Sequence, residues 1–297
     1  MRITNNMLSH NLLRNLEAAQ GRMDLLQNQL SSGNRITRPS DDPVGIENAL
    51  RIKSSISHVE QWKANASEGL AYMNTTDTTL GDMTSMLQRA KELAIQGANG
   101  SMSPDDRNKI ALEIDQIKEQ MVQLSNTRVG SKYIFGGTAN KEPFPNGATQ
   151  WQGSDDIVKF QVGSSLSLEI SVNGRDLFGV DDSDLSNIGM FKSLDNLSNA
   201  LKTSDMNAIQ TSIGDLEDQA DNVVNYRAQL GARQNRMDSL YQQLDTTALN
   251  LTQSLSDIMD ADIAKTLVDF KSQENVYQAA LSVGAKIIQP SLVDFMR

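Results

Sequence analysis

The chain has 297 residues, enough for two or three domains and a sizeable buried core. With 27 Lys and Arg against 37 Asp and Glu, its formal charge is −10. That balance argues against nucleic-acid binding or anionic-membrane binding, both of which need a basic face. No cysteine and only two histidines, His10 and His58, exclude disulfide frameworks, thiol catalysis, iron–sulfur clusters and thiolate zinc sites.

Amides take up much of the remainder, with 24 Asn and 22 Gln beside 5% aromatics, and this composition leans away from an enzyme. The start, Met1-Arg2-Ile3-Thr4-Asn5-Asn6, has no apolar stretch behind its basic residue, so no Sec-type signal is expected. The longest apolar run, from Leu70 to Met73, is four residues, far short of the ~20 a membrane-spanning helix needs. Residues 1–60 carry 7 basic and 6 acidic side chains, whereas residues 141–211 carry 5 and 10. The acidic excess therefore belongs to the middle and C-terminal parts.

Prolines occur only at 39, 43, 104, 143, 145 and 290, and long helices fit between them. Over 4–32, Leu12, Leu16, Ala19, Met23, Leu26 and Leu30 form a heptad seam, and Gly33-Asn34 supplies a C-terminal cap. Asp41-Asp42-Pro43 predicts the start of a second helix, with an aspartate cap and proline at the first helical position. Leu70, Met73, Leu80, Met83, Leu87, Ala90 and Ala94 give it an apolar stripe that ends at Gly97-Ala98-Asn99-Gly100. Ser103-Pro104-Asp105-Asp106 opens a third helix with Ile110, Ile114, Ile117, Met121 and Leu124 on one face, so a helical hairpin is expected.

Between about 130 and 180 glycines cluster, and Ile157–Val162 and Leu166–Val172 read as strands. Asn173-Gly174 reads as the turn after them. Beyond Asp195 a proline-free helical pattern runs to 289. Val223, Leu230, Met237, Leu244, Leu251 and Ile258 recur every seventh residue, a seam roughly 50 Å long at about 1.5 Å per residue. After a phase shift, Ile263, Leu267, Phe270, Tyr277, Leu281 and Ile288 form a second stripe.

Chemistry finds little support. His10 and His58 lack metal-ligand spacing, and Asp181-Asp182-Ser183-Asp184 opens like a calcium loop but has Asn187 where glycine belongs and no closing Glu. Gly130 to Gly137 lacks the spacing of a phosphate loop and reads as a helix end running into a strand. Asn-x-Ser/Thr triplets at Asn65, Asn74, Asn99, Asn196 and Asn250 match chance for this composition. No catalytic residue, metal or cofactor is expected. The methionines, 13 in all, sit mostly on helical stripes and read as core packing.

Taken whole, Ile3-Thr4-Asn5-Asn6-Met7-Leu8, Asn15-Leu16, Leu30-Ser31-Ser32-Gly33-Asn34-Arg35-Ile36 and Pro39-Ser40-Asp41-Asp42-Pro43-Val44-Gly45 closely resemble the start of the flagellin superfamily. Asp262-Ile263-Ala264, Gln278-Ala279-Ala280-Leu281 and Gln289-Pro290-Ser291-Leu292 resemble its end, and Tyr133-Ile134-Phe135-Gly136-Gly137 extends the likeness inward. Flagellins usually carry Ala-Asp-Asp-Ala-Ala-Gly where this chain has Ser40-Asp41-Asp42-Pro43-Val44-Gly45, and the two prolines and the Pro-Ser-Leu ending resemble the hook–filament junction branch instead.

The resemblance implies a mainly α fold: a long coiled-coil and helical-bundle rod built from the N- and C-terminal parts, with a small β-rich domain inserted in the middle. Residues 1–45 and 255–297 are expected as a terminal coiled-coil core, disordered until assembly. Residues 46–137 and 190–254 are expected as the helical rod and 138–189 as the β-rich outer domain. Implied partners are further copies of the chain in a ring, hook-associated protein 1, flagellin, and an export chaperone gripping the C-terminal segment. Neither nucleic acid nor membrane insertion is implied. The implied location is extracellular, on the bacterial flagellum, after secretion through its type III exporter.

Candidate assembly residues are Leu12, Leu16, Met23, Leu26, Leu30, Ser31, Ser32, Gly33, Arg35, Ile36, Asp41, Asp42, Pro43, Ile263, Leu267, Phe270, Tyr277, Leu281, Ile288, Leu292 and Phe295. Arg35 and Arg38 are expected to pair with Asp41 and Asp42 within or between chains. Candidate rod-core residues are Leu70, Met73, Leu80, Leu87, Ile110, Ile114, Ile117, Met121, Leu230, Met237, Leu244 and Leu251. A short flagellin, or a coiled-coil sensor or adhesin unrelated to motility, are the alternatives.

Overall fold

The computed structural model describes residues 5–139, 141–145, 150–181 and 184–288. Its elements in chain order are α1 (Asn5–Ser32), α2 (Pro43–Gly97), α3 (Pro104–Ser125), β1 (Arg128–Val129), β2 (Lys132–Tyr133), β3 (Lys159–Gln161), β4 (Ser167–Glu169), α4 (Gly174–Phe178), α5 (Gly189–Thr203), α6 (Met206–Met259) and α7 (Ile263–Ile288). The fold is mainly α with a small β-rich insertion, as the sequence predicts. The chain divides into two compact units: Met1–His58 with Thr247–Arg297, and Val59–Thr246.

Local chemistry sets the helix ends. Gly33 adopts a left-handed φ of 72° and donates its N–H to the Gln29 carbonyl at 2.9 Å, closing α1. The Asp42 carboxylate accepts the Gly45 N–H at 2.9 Å, the N-cap expected before Pro43. Ser103 caps α3 by accepting the Asp106 N–H, with Pro104 in the first turn. The predicted helical run after 195 breaks twice where neither glycine nor proline stands. Ser204 has a left-handed φ of 54°, and Asp205 then caps α6 through the Asn207 and Ala208 N–H groups. Residues 260–262 separate α6 from α7, with Asp262 accepting the Lys265 N–H at 3.0 Å. This second break explains the phase shift between Ile258 and Ile263.

In the 59–246 unit, α2 and α6 run antiparallel. Lys63 meets Asp245, Asn74 meets Gln234, Asp77 meets Arg227 at 2.7 Å, and Lys91 meets Glu217 at 3.1 Å, so partner numbers fall as α2 advances. Buried between them lie Ala66, Met73, Leu80, Leu87 and Ala94 of α2 with Ile209, Leu216, Val223, Leu230 and Met237 of α6. Both sets recur every seventh residue, the spacing of a helix–helix seam. Each fully buried Leu or Met there contributes about 1.5–3 kcal/mol relative to exposure. α3 packs on α5, tied by Lys118 to Asp195 at 2.6 Å and by Asp115 to Ser198 at 2.6 Å and Lys202 at 2.9 Å.

The β1–β2 hairpin turns at Gly130, whose left-handed φ is 61°. β3 pairs antiparallel with β4, Lys159 opposite Glu169, inside the two stretches that the sequence marks as strands. Asn173-Gly174, expected as a turn, instead opens α4, Asn173 accepting the Arg175 N–H. Phe135, Phe144, Phe178 and Phe191 meet largely edge to face at centroid distances of 4.9–5.8 Å. This aromatic cluster and the helical seam belong to one continuous core.

Candidate assembly interface

In the terminal unit, two chain breaks fasten to each other. The Gly33 carbonyl accepts the Ala261 N–H at 2.8 Å, and Asn34 bridges antiparallel to Asp260. Arg35 donates its N–H to the Met259 carbonyl at 2.6 Å and its guanidinium to the Ile258 carbonyl at 2.8 Å. A cation therefore satisfies a carbonyl at the C-terminus of α6, where the helix dipole is negative. Ile36 is 2% exposed, and its δ-methyl lies beside Gly45.

The Asp41 carboxylate accepts the Arg38 N–H at 2.8 Å, the Thr37 N–H at 3.2 Å and the Thr37 hydroxyl at 3.1 Å. The Arg38 backbone bond, outweighing slight desolvation and helped by Thr37, holds its pKa below the ordinary carboxylate range. Asp42 caps α2 and lies 3.7 Å from the Arg35 guanidinium, an exposed pair of small energetic weight. The Ser31 and Ser32 hydroxyls both donate to the Asn28 carbonyl, and Pro43 is exposed at the first turn of α2. The loop's acids are thus largely spent on its own backbone.

α1 and α7 pack together, and their direction follows from the two ends of the contact. Leu12 lies against Gly284, where a Cβ would come within 2.6 Å of a Leu12 methyl, while the chain after α1 meets residues before α7. The pair is antiparallel. On α1 the seam is the predicted one: Ala19 is buried, and Leu12, Leu16, Met23, Leu26 and Leu30 are half-buried. On α7 it is Thr266, Phe270, Gln273, Tyr277, Ala280 and Gly284, again at alternating spacings of four and three.

Phe270 and Tyr277 of the predicted stripe therefore face the seam, whereas Ile263, Leu267 and Leu281 are exposed at 46–49%. Val268, Val276 and Val283 of α7 are also exposed, as are Leu13 and Leu25 of α1. Hydropathy alone misplaces the α7 seam because large apolar residues flank it on both sides, Ile263, Leu267 and Leu281 on one and Val276 and Val283 on the other, while Thr266 and Gln273 lie within it. The signal available was the small pair Ala280 and Gly284, which permits close helix approach. The Ile288 side chain, and all of Leu292 and Phe295, lie outside the described residues.

Of the rod-core candidates, Met73, Leu80, Leu87, Ile110, Ile114, Ile117, Met121, Leu230 and Met237 are buried. Leu70, Leu244 and Leu251 are half-buried. Among the described residues, no group of three or more His, Cys, Asp and Glu could hold a metal ion, and no helix is long and apolar enough to cross a membrane. Asp182 and Ser183 lie outside the described residues, and Asp184 accepts the Ser186 N–H and hydroxyl.

Residues 3–140 match the bacterial flagellin N-terminal helical region and residues 213–296 the C-terminal helical region. The chain is 27% identical to flagellar hook-associated protein 3 of Escherichia coli K12 over 94% of this chain and 95% of that one. It is 29% identical to flagellin FlaB1 of Treponema pallidum over 87% and 86%. The crystal structure of Bacillus cereus FlgL superposes with a TM-score of 0.59 at 26% identity, covering 69% of this chain and 99% of that one. Paired terminal helices, a mainly helical fold with a small β-rich insertion, and these matches at both ends identify the chain as a member of the flagellin superfamily of flagellar axial proteins.

Proposed function

We propose that this chain is the structural piece joining the flagellar hook to the flagellin filament, without catalysis. The observation that carries an assembly role is the set of large apolar side chains left uncovered on α7, Ile263, Leu267 and Leu281 along one flank of the intrachain seam and Val276 and Val283 along the other. Such a surface needs neighbours. The junction position is supported by the two prolines, Pro39 and Pro43, in the loop between α1 and α2, and by likeness over nearly the full length to a hook-associated protein 3.

In this reading residues 1–45 and 255–297 are ordered by neighbours around the axis, 46–137 and 190–254 form the rod, and 138–189 faces outward. Copies of the chain contact each other in a ring, hook-associated protein 1 lies on the hook side and flagellin on the other. The chain leaves the cell unfolded through the flagellar exporter, its C-terminal segment held by a chaperone. Deleting the gene should leave hooks without filaments and flagellin in the medium, seen by electron microscopy. Filaments still attached would overturn the junction role. The flagellin relatives support a second reading, a filament subunit, and that reading expects the purified chain to extend filament seeds into long polymers.

A further inference from the structure

Asparagine is followed by glycine three times, at Asn99-Gly100, Asn146-Gly147 and Asn173-Gly174, of which Asn146-Gly147 lies outside the described residues. This dipeptide is chemically weak, because no Cβ hinders attack of the glycine nitrogen on the asparagine side-chain carbonyl and the glycine backbone rotates freely. The other two copies sit in opposite surroundings.

Asn99 and Gly100 are exposed in the turn between α2 and α3, and space around Gly100 is open where a Cβ would stand. Among the described residues, the Asn99 side-chain NH2 and the Gly100 N–H make no hydrogen bond. The Asn99 Oδ1 accepts the Ser101 N–H at 3.2 Å and the Ser101 hydroxyl at 2.9 Å. Asn173 also accepts an N–H two residues on, from Arg175, but its NH2 donates to Asp176 Oδ2 at 2.8 Å. Gly174 is buried in α4, and a Cβ there would lie 2.4 Å from the Phe135 carbonyl oxygen.

We propose that Asn99 is a site of spontaneous deamidation in the folded chain and that Asn173 is protected. The Gly100 nitrogen, its proton lost to solvent base, bonds to Asn99 Cγ. Charge developing on Oδ1 meets the two Ser101 donors, an arrangement that stabilises an oxyanion. The Cγ–Nδ2 bond then breaks, ammonia leaves with a proton from water, and a cyclic imide remains. Water opens the imide at either carbonyl, giving aspartate or isoaspartate, with no oxidant or reductant consumed. The product places one negative charge at the turn that Arg107 holds, its guanidinium donating to the Gly97 and Asn99 carbonyls at 3.0 Å each. Molecules that stay long in an assembly thereby acquire a mark of age.

The test incubates the full folded chain in mildly alkaline buffer and follows the three Asn-Gly peptides separately by mass spectrometry, with an isoaspartate methyltransferase assay alongside. The Asn99 peptide should convert several-fold faster than the Asn173 peptide, and unfolding in urea should bring the two together. Equal rates in the folded chain, or an Asn99 peptide that stays amidated as long as Asn173, would overturn the proposal. Gly100→Ala fits the open space without a left-handed φ, so the fold, checked by circular dichroism, is retained. That variant should slow Asn99 conversion several-fold, and an unchanged rate would also overturn it.

Discussion

Replacing Gly45 by alanine should loosen the joint between the two chain breaks while leaving the 59–246 unit intact. A Cβ at Gly45 would lie 2.4 Å from Asp42 Oδ2 and 2.7 Å from the Ile36 δ-methyl. Both atoms are ends of side chains and can swing away, but each loses something. Moving the Asp42 carboxylate forfeits the α2 cap, worth about 1 kcal/mol. Moving the buried Ile36 costs about 1 kcal/mol, the low end for overpacking, because only its terminal methyl must yield. Against this stands the gain of alanine over glycine in a helix, about 1 kcal/mol at most in an interior position and smaller in a first turn. The net loss is about 1–2 kcal/mol, a factor of roughly 5–30 in local opening.

Amide hydrogen exchange on the full chain reads this directly, because local opening free energies appear segment by segment. Peptides covering 33–46 and 258–266 should exchange faster by that factor, and peptides of the core seam between α2 and α6 should not change. Gly21→Ala is the control: nothing lies within 4 Å of its Cβ position in α1, so protection there should hold or rise. If Gly45→Ala leaves 33–46 as protected as in the parent chain, the Asp42 cap and the packing of Ile36 beside Gly45 do not hold the joint together.

The 59–246 unit offers a conventional core test. Leu80→Ala, at a fully buried seam position, should cost about 2–5 kcal/mol in urea unfolding followed by circular dichroism, and clearly more than Leu70→Ala at its half-buried position. The loop between α1 and α2 should respond to acid. Asp41 has a folded-state pKa below its ordinary value, so its contribution is present above that ordinary value and is lost as pH falls through the lower, folded one. Exchange at 37–41 should therefore accelerate on acidification below the ordinary carboxylate range, after correction for intrinsic rates. Asp41→Asn should begin faster and lose that pH dependence.

Much of this fold is legible because its helices advertise themselves twice, by capping and by period. Asp42-Pro43 and Ser103-Pro104 start α2 and α3 where capping chemistry requires, and Val223, Leu230 and Met237 are buried as their sevenfold spacing demands. The breaks at Ser204 and at 260–262 are harder to read, since they rest on single aspartate caps, Asp205 and Asp262, in a chain where aspartate is common. Asn173 shows the same ambiguity from the other side: one residue type begins both turns and helices, and only the aromatic cluster under Gly174 decides for α4. At the candidate interface Gly33, Arg35 and Asp42 can be picked from the sequence, but not what they touch. Arg35 spends its guanidinium mainly on a carbonyl of a helix more than two hundred residues away, and sequence spacing carries no trace of that.

The α7 helix shows why hydropathy and burial part company in a chain built to assemble. Its contacts with α1 run through Thr266, Gln273, Ala280 and Gly284 besides Phe270 and Tyr277. At about 25 cal/mol per Å² of apolar area, the small and polar seam residues of α7 add little themselves, and Phe270, Tyr277 and the leucines of α1 carry most of the seam's apolar burial. Meanwhile larger apolar side chains, Ile263, Leu267, Val268 and Leu281, remain uncovered. In a monomeric protein this distribution would be a solubility defect. In a superfamily of axial proteins such side chains are available to neighbouring subunits, and whatever binds the folded form and not the unfolded one adds to its stability. The seam with α1 fixes the direction and close approach of α7, and the uncovered apolar side chains on its flanks are the surface it leaves for neighbours.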